Sequence, residues 1–339
     1  KGPNLAHPRS HYDMLHELRD FVSWRRGDSL MLAEANISPT VDMQYFGDDG
    51  DRLPMMFNFH VNQHLFWSLA VARAAPLARA LEATRGRPAT AQWAHFLRNN
   101  DEIDLGRLPA NARNACFEAF GPDKDMQLYD RGIRRRLSPM LKGDRRRWEL
   151  AYSLLFTLPG TPVIRYGDEL GMGDDLSLPE RSAIRTPMQW SRDKNGGFSR
   201  ADKTILPVID AGPYGYERLN ESDQRRDAQS MLNWTERIIR MRKECPEIGW
   251  GNFDVVRTGA PSVLALRYHW RNNALWAVHN LAGESVEVTL REPDELVNML
   301  SFDDSKAGRG GRHSIALEPY GYRWFRVGRT SALARRRDY

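Results

Sequence analysis

Three stretches of this chain end an apolar run in side chains able to do proton or hydroxyl chemistry. Glu34 closes the run in "LMLAEAN", with Asn36 two residues on; Asp101 closes "HFLRNND" behind Arg98, Asn99 and Asn100; and Asp168 and Glu169 follow "VIRY". A carboxyl group can donate a proton, accept one or attack as a nucleophile, and a nearby carboxylate can stabilise positive charge developing on a ligand. The amides and the guanidinium add donors and acceptors suited to a hydroxyl-rich ligand. At any single position the blander role is an Asp, Asn or Glu capping the helix that follows. Recurrence of one pattern after three separate strands favours a shared cleft.

The elements that must deliver these groups alternate. Leu15, Leu18 and Val22 at helical spacing predict a helix over 11–26, and the strand "LMLAEAN" follows it. "MMFNFHVN" reads as a second strand, "HLFWSLAVARAAPLARALEAT" as helix with Pro76 opening a second segment, and "AQWAHFL" as a third strand. Trp148, Ala151, Tyr152 and Leu155 mark a helical face before a fourth strand, "TPVIRY". Strands alternating with helices imply parallel strands with crossover helices, an α/β architecture whose strand-end carboxylates gather at one face. The Gly-, Pro-, Asp- and Arg-rich stretch to about residue 227 is too long for a simple connector and reads as an ordered loop over the cleft. Met231, Trp234, Ile238 and Met241 restore a helix that closes this part near 245. From about 250 to 328 short alternating segments such as "SVEVTL" predict a small antiparallel β-sandwich, and 329–339 a basic tail.

"LMLAEAN", "HFLRNND", "LPGTPVIRYGDELGMGDD", "RTPMQW" and "GGFS" resemble the later motifs of the α-amylase superfamily of retaining glycosidases, most similar to its trehalose synthase branch and the adjoining α-glucosidases. The resemblance implies strands five to eight of a (β/α)8 barrel over residues 1–245, then the C-terminal β domain. It also implies a substrate, an α-glucoside such as maltose or trehalose. By position it makes Glu34 the general acid/base and Asp101 the carboxylate that stabilises the transition state, with Asn36, Arg98, Asn99 and Asn100 beside them. Arg185 and Arg181 match arginines that close the glucose pocket, and Tyr166, Gln189 and Trp190 line or support it. Retaining cleavage needs a protonated carboxyl and a carboxylate nucleophile about 5 to 5.5 Å apart, so partial burial should raise the proton affinity of Glu34. A salt bridge bracing the long loop is an equal alternative for Arg185.

Two departures stand out. The family's Arg-X-Asp motif, which bears the nucleophile, should precede the Glu34 strand and is not in residues 1–33; "KGPNLAHPRSHYDMLHELRDF" resembles the segment after it. The expectation is therefore a chain lacking strands one to four, inactive alone, whose partner is the N-terminal half or a second copy. Any calcium would belong to that absent part, and these residues call for neither cofactor nor metal. Asn100 stands where the family has histidine, weakening the grip on the sugar by roughly 1 to 3 kcal/mol. The competing reading is a degenerate, non-catalytic carbohydrate-binding relative.

Composition narrows the classes further. The 339 residues, 41% hydrophobic, can hold one large and one small domain. Basic and acidic residues number 49 and 44 and are intermixed, which argues against nucleic acid. The runs Arg134-Arg135-Arg136, Arg145-Arg146-Arg147 and Arg335-Arg336-Arg337 are expected on solvated faces. Cys116 and Cys245 lack metal-ligand spacing and fit a reducing compartment, and no run approaches the ~18 apolar residues of a bilayer span. With no signal-peptide core at the start, the cytoplasm is the expected location.

Overall fold

The structure, a computed structural model, describes residues 10–328, so the basic tail and Arg335-Arg336-Arg337 lie outside the described residues. Helix α1 (Ser10–Arg25) leads into strand β1 (Leu32–Ala33), the short helix α2 (Asp42–Phe46) and strand β2 (Met55–Phe57). Helices α3 (Phe59–Val71) and α4 (Ala75–Ala83) then precede β3 (Gln92–Phe96). A small antiparallel sheet of order β4-β6-β5 is formed by β4 (Ile103–Asp104), β5 (Gln127–Leu128) and β6 (Gly132–Ile133), with α5 (Ala110–Phe120) between β4 and β5 in the chain, and α6 (Leu137–Met140) and α7 (Arg145–Thr157) lead to β7 (Thr161–Val163). The main sheet has the order β1-β2-β3-β7 and every pairing in it is parallel. Four parallel strands with helical crossovers are half of a (β/α)8 barrel.

The expected strands are present but shorter, for a local reason. "MMFNFHVN" ends as a strand at Phe57, because the Asn58 side chain accepts a hydrogen bond from the Val61 amide at 2.9 Å and caps α3. Pro76 opens α4 as expected, after Ala72 turns the chain with φ of 50°. The helices bury one continuous core: Phe66 meets Phe120 edge-on at 5.6 Å, and Trp148 stacks on Tyr152 at 4.3 Å.

After the long irregular loop come α8 (Glu221–Arg226), α9 (Met231–Lys243) and α10 (Pro246–Trp250), then strands β8 (Asn252–Val256), β9 (Val263–Trp270), β10 (Asn273–Asn280), β11 (Val286–Arg291), β12 (Leu296–Asn298), β13 (Arg312–Leu317) and β14 (Tyr322–Val327). They form an antiparallel sheet β12-β14-β10-β9-β8 and a hairpin-like pair β11-β13, with a shared core that includes Val278, Val288, Leu290, Ile315 and Phe325. The C-terminal domain is fastened to the barrel through α7. Trp324 Nε1 donates to Ser153 Oγ at 2.9 Å, Ser153 Oγ and His279 Nε2 are hydrogen-bonded at 2.9 Å, and Tyr268 Oη donates to the Thr157 carbonyl.

One arginine run departs from expectation. Arg134, Arg135 and Arg136 are buried or nearly so instead of solvated. Arg134 donates to the Leu176, Leu178 and Glu180 carbonyls, Arg135 pairs with Asp174 at 3.0 Å, and Arg136 pairs with Asp168 at 3.0 Å. All five partners belong to the long loop or the turn before it, so the run pins that loop to the barrel. Sequence spacing could not show these acceptors, most of them main-chain oxygens forty residues away. The Arg145-Arg146-Arg147 run does reach solvent at the start of α7, where Arg145 pairs with Glu149 at 2.7 Å.

Candidate active site

Glu34, Asp101 and the Asp168-Glu169 pair all follow the C-terminal ends of parallel strands of one sheet, β1, β3 and β7. Parallel strands have one common end, so these groups share one rim of the half-barrel. The rim is stitched together by side chains. Asn36 donates to Asp104 Oδ2 at 2.9 Å, and Arg107 holds the Asn36 carbonyl at 2.7 Å from Nη2 and its side-chain oxygen at 3.0 Å from Nε. Gln63 of α3 adds a bond to Asn36 at 3.3 Å. The loop after β1 is thereby tied to the loop after β3.

Asp101 is held by two arginines. Arg185 Nη2 meets its Oδ1 at 2.6 Å and Arg181 Nη1 its Oδ2 at 3.1 Å, while Arg185 Nε also donates to the Asn100 carbonyl at 2.7 Å. Asn99 Oδ1 accepts from the Asp101 amide at 3.1 Å, which folds the loop into a tight turn. The side chain of Asp101 keeps 28% of its surface exposed, and its carboxylate has lone pairs left for ligand hydroxyls. Arg181 does double duty: its Nε also pairs at 2.7 Å with Glu102, whose side chain is buried, and that bond raises its proton affinity further.

Two expectations are corrected by burial. Arg98 was expected to touch a ligand, yet it is only 2% exposed and donates inward, to the Asp101 carbonyl and the Arg135 carbonyl at 2.8 Å each. It positions the Asp101 loop from below, and burial pulls its pKa down to about 9. Glu34 was expected to be partly buried; it is exposed, because β1 is the edge strand and only β2 flanks it among the described residues.

A second wall stands beside Asp101. Tyr166, Glu169, Arg185, Met188, Trp190 and Phe198 line an open apolar cavity of about 770 Å³. Tyr166 Oη donates to the Thr186 carbonyl at 2.9 Å, and the guanidinium of Arg136 lies 5.1 Å from its ring. Gln189 is buried and braces the loop from within, donating to the Tyr214 and Leu219 carbonyls at 3.0 and 2.5 Å. Glu169, unassigned from sequence, carries a buried carboxylate oxygen with no hydrogen-bond partner among the described residues, and burial lifts its pKa to about 7. Its only sequence signal was its place after a strand beside Asp168. Among the described residues no group of three or more His, Cys, Asp or Glu side chains is arranged to hold a metal ion.

Residues 134–251 match the α-amylase catalytic domain, and residues 273–326 match the sucrose hydrolase-like C-terminal domain. The chain is 36% identical to a trehalose synthase of Thermus thermophilus over 324 residues, which is 92% of this chain and 33% of that protein. It is 35% identical to a trehalose synthase of Pimelobacter sp. over 347 residues, covering 96% of this chain and 59% of the relative. The chain thus spans between a third and about three-fifths of the length of these curated relatives. The crystal structure of an α-amylase from H. orenii superimposes with a TM-score of 0.72 over 96% of this chain and 58% of that one, at 18% identity.

Proposed function

The chain belongs to the α-amylase superfamily of glycoside hydrolases and glucosyltransferases, and from that premise we propose that it processes α-glucosides by a retaining mechanism, in the manner of a trehalose synthase. In this reading Glu34 protonates the departing glycosidic oxygen, its exposed position relieved of water once a sugar covers the rim. Asp101, oriented by Arg185 and Arg181, binds sugar hydroxyls and stabilises the positive charge that develops on the ring. Asn99 and Asn100 shape the glucose subsite, and Tyr166 and Trp190 give it an apolar wall. The residues named here supply the acid/base and charge-stabilising part of the chemistry, and the covalent step requires a carboxylate nucleophile besides them. Maltose is the proposed substrate, with glucosyl transfer to trehalose as the outcome and hydrolysis to glucose as its side reaction. The two buried free cysteines fit the reducing, cytoplasmic setting of this reading.

The observation that carries this reading is the doubly bound Asp101 on the same strand-end rim as Glu34. Maltose incubated with the protein as its gene encodes it should yield trehalose and glucose, and Glu34→Gln or Asp101→Asn should each remove at least ~10³-fold of that turnover. Residues 1–339 by themselves should yield neither sugar. Turnover that survives both substitutions would overturn the assignment.

The second reading, a non-catalytic carbohydrate-binding relative, rests on Asn100, whose side chain is exposed where the family has histidine. Asn100→His discriminates. A gain of roughly tenfold in turnover, about 1.4 kcal/mol, supports the enzyme, whereas unchanged sugar binding with no turnover in either form supports the binding protein.

A further inference from the structure

At the opposite end of β3 from Asp101 lies a more enclosed cavity of about 240 Å³, between the base of the half-barrel and the C-terminal domain. Arg87, Gln92, Trp93, His95, Trp250 and Phe253 line it. Its polar groups are unusual in what they lack. His95 is 2% exposed; its Nε2 lies 3.3 Å from the Pro159 carbonyl and must carry the proton to bond there, which leaves Nδ1 as an acceptor, buried and without a partner. Gln92 gives its amide to the Gly249 carbonyl at 3.0 Å, which fixes Oε1 as a second buried acceptor without a partner. Arg87 spends Nη1 on the carbonyls of Ala91 and Pro88 and has no carboxylate partner among the described residues, although burial lowers its pKa.

Buried polar atoms seldom go unpaired, so two partnerless acceptors and a half-buried cation among the residues lining one cavity point to an occupant. A carboxylate would satisfy Arg87 but could only accept, and the hydrogen phosphate dianion brings a single hydroxyl for two acceptors, so each leaves His95 Nδ1 or Gln92 Oε1 facing lone pairs. An ammonium would satisfy those two and be repelled by Arg87. Hydroxyl groups both donate and accept, and so meet all three. The cavity is smaller than the ~300–1,000 Å³ of sites for drug-sized ligands. Three aromatic rings supply flat apolar surface against which the C–H face of a sugar ring can lie. We propose that this cavity is a second carbohydrate site, distinct from the Asp101 rim, that binds one neutral hydroxylated ring of monosaccharide size. Because the site is reached from the base, its occupancy does not require the Glu34 and Asp101 chemistry to be as proposed above. Ordered water is the competing occupant, since the space holds about eight molecules at ~30 Å³ each.

Glucose titrated into the full chain should quench tryptophan fluorescence saturably, because Trp93 and Trp250 stand in the wall. Trp250 is 74% exposed and can be removed without opening the core, so, with the rim subsite disabled by Asp101→Asn, the glucose quenching that remains should be weakened at least tenfold by Trp250→Ala. Arg87→Met should weaken it similarly, and inorganic phosphate should not compete. The proposal is overturned if glucose binding is unchanged in Trp250→Ala and Arg87→Met, if phosphate displaces glucose from the cavity, or if a structure in saturating glucose shows only water there.

Discussion

The amide of Asn36 donates to the carboxylate of Asp104 at 2.9 Å, and this contact joins the segment that follows Glu34 to the one that follows Asp101. Asn36 lies two positions after Glu34 and Asp104 three after Asp101, so this pair and the Arg107 bonds beside it link the segments that carry the two catalytic candidates.

Asn36→Asp would set two carboxylates against each other and should destabilise the protein by about 1–2 kcal/mol, with Asp104→Asn restoring most of it in the double variant. Urea titration of the two single variants and the double variant measures the coupling. Simple additivity would mean that the pair does not link the two segments.

Arg181 and Arg185 both reach Asp101, yet their removal should read out differently. Arg181→Ala strips the buried Glu102 of its closest partner and should cost about 1–3 kcal/mol of stability, leaving only Arg131 at 4.0 Å. Arg185 is exposed and bonds only the Asp101 side chain and the Asn100 carbonyl, so Arg185→Ala should cost under about 1 kcal/mol. Its effect should fall on maltose turnover instead. Thermal melts run beside the maltose assay separate the two.

Glu169 gives a pH signature of definite sign. Its pKa rises from 4.5 to about 7 on folding, so the folded state holds the proton more tightly and stability is lost as pH rises through that window. The loss reaches about 3 kcal/mol above neutrality. Glu169→Gln should abolish it, giving a variant more stable than the parent at pH 8 and similar at pH 4.5 in chemical denaturation.

His279 acts in the opposite direction. Burial among the α7 and β-domain residues lowers its pKa from 6.5 to about 3, so stability is lost as pH falls below about 6.5, by about 1.4 kcal/mol per pH unit. His279→Gln, which keeps a hydrogen-bond partner for the Ser153 hydroxyl, should flatten this acid limb. Denaturation midpoints between pH 4 and 7 test it. A limb unchanged in the variant would assign acid sensitivity to other groups.

Much of this was legible in one dimension. The alternation of helix and strand, the Pro76 break, the change to a β domain and the strand-end positions of Glu34, Asp101 and Asp168 follow from local periodicity and turn chemistry, which a linear sequence carries in full. Which face a polar side chain takes does not. Arg98 sits in a motif that looks ligand-facing, and Arg134-Arg135-Arg136 in a run that looks solvated, but both are drawn inward by main-chain carbonyls and loop carboxylates supplied from distant segments. Sequence chose the residue types that can act on a sugar. Only the tertiary structure decided that Glu34 lies open on an edge strand, that Asp101 is gripped by two arginines from the long loop, and that His95 and Gln92, which line a cavity at the other end of the sheet, keep buried acceptors without partners among the described residues, because burial and hydrogen-bond partners are properties of packing and not of spacing.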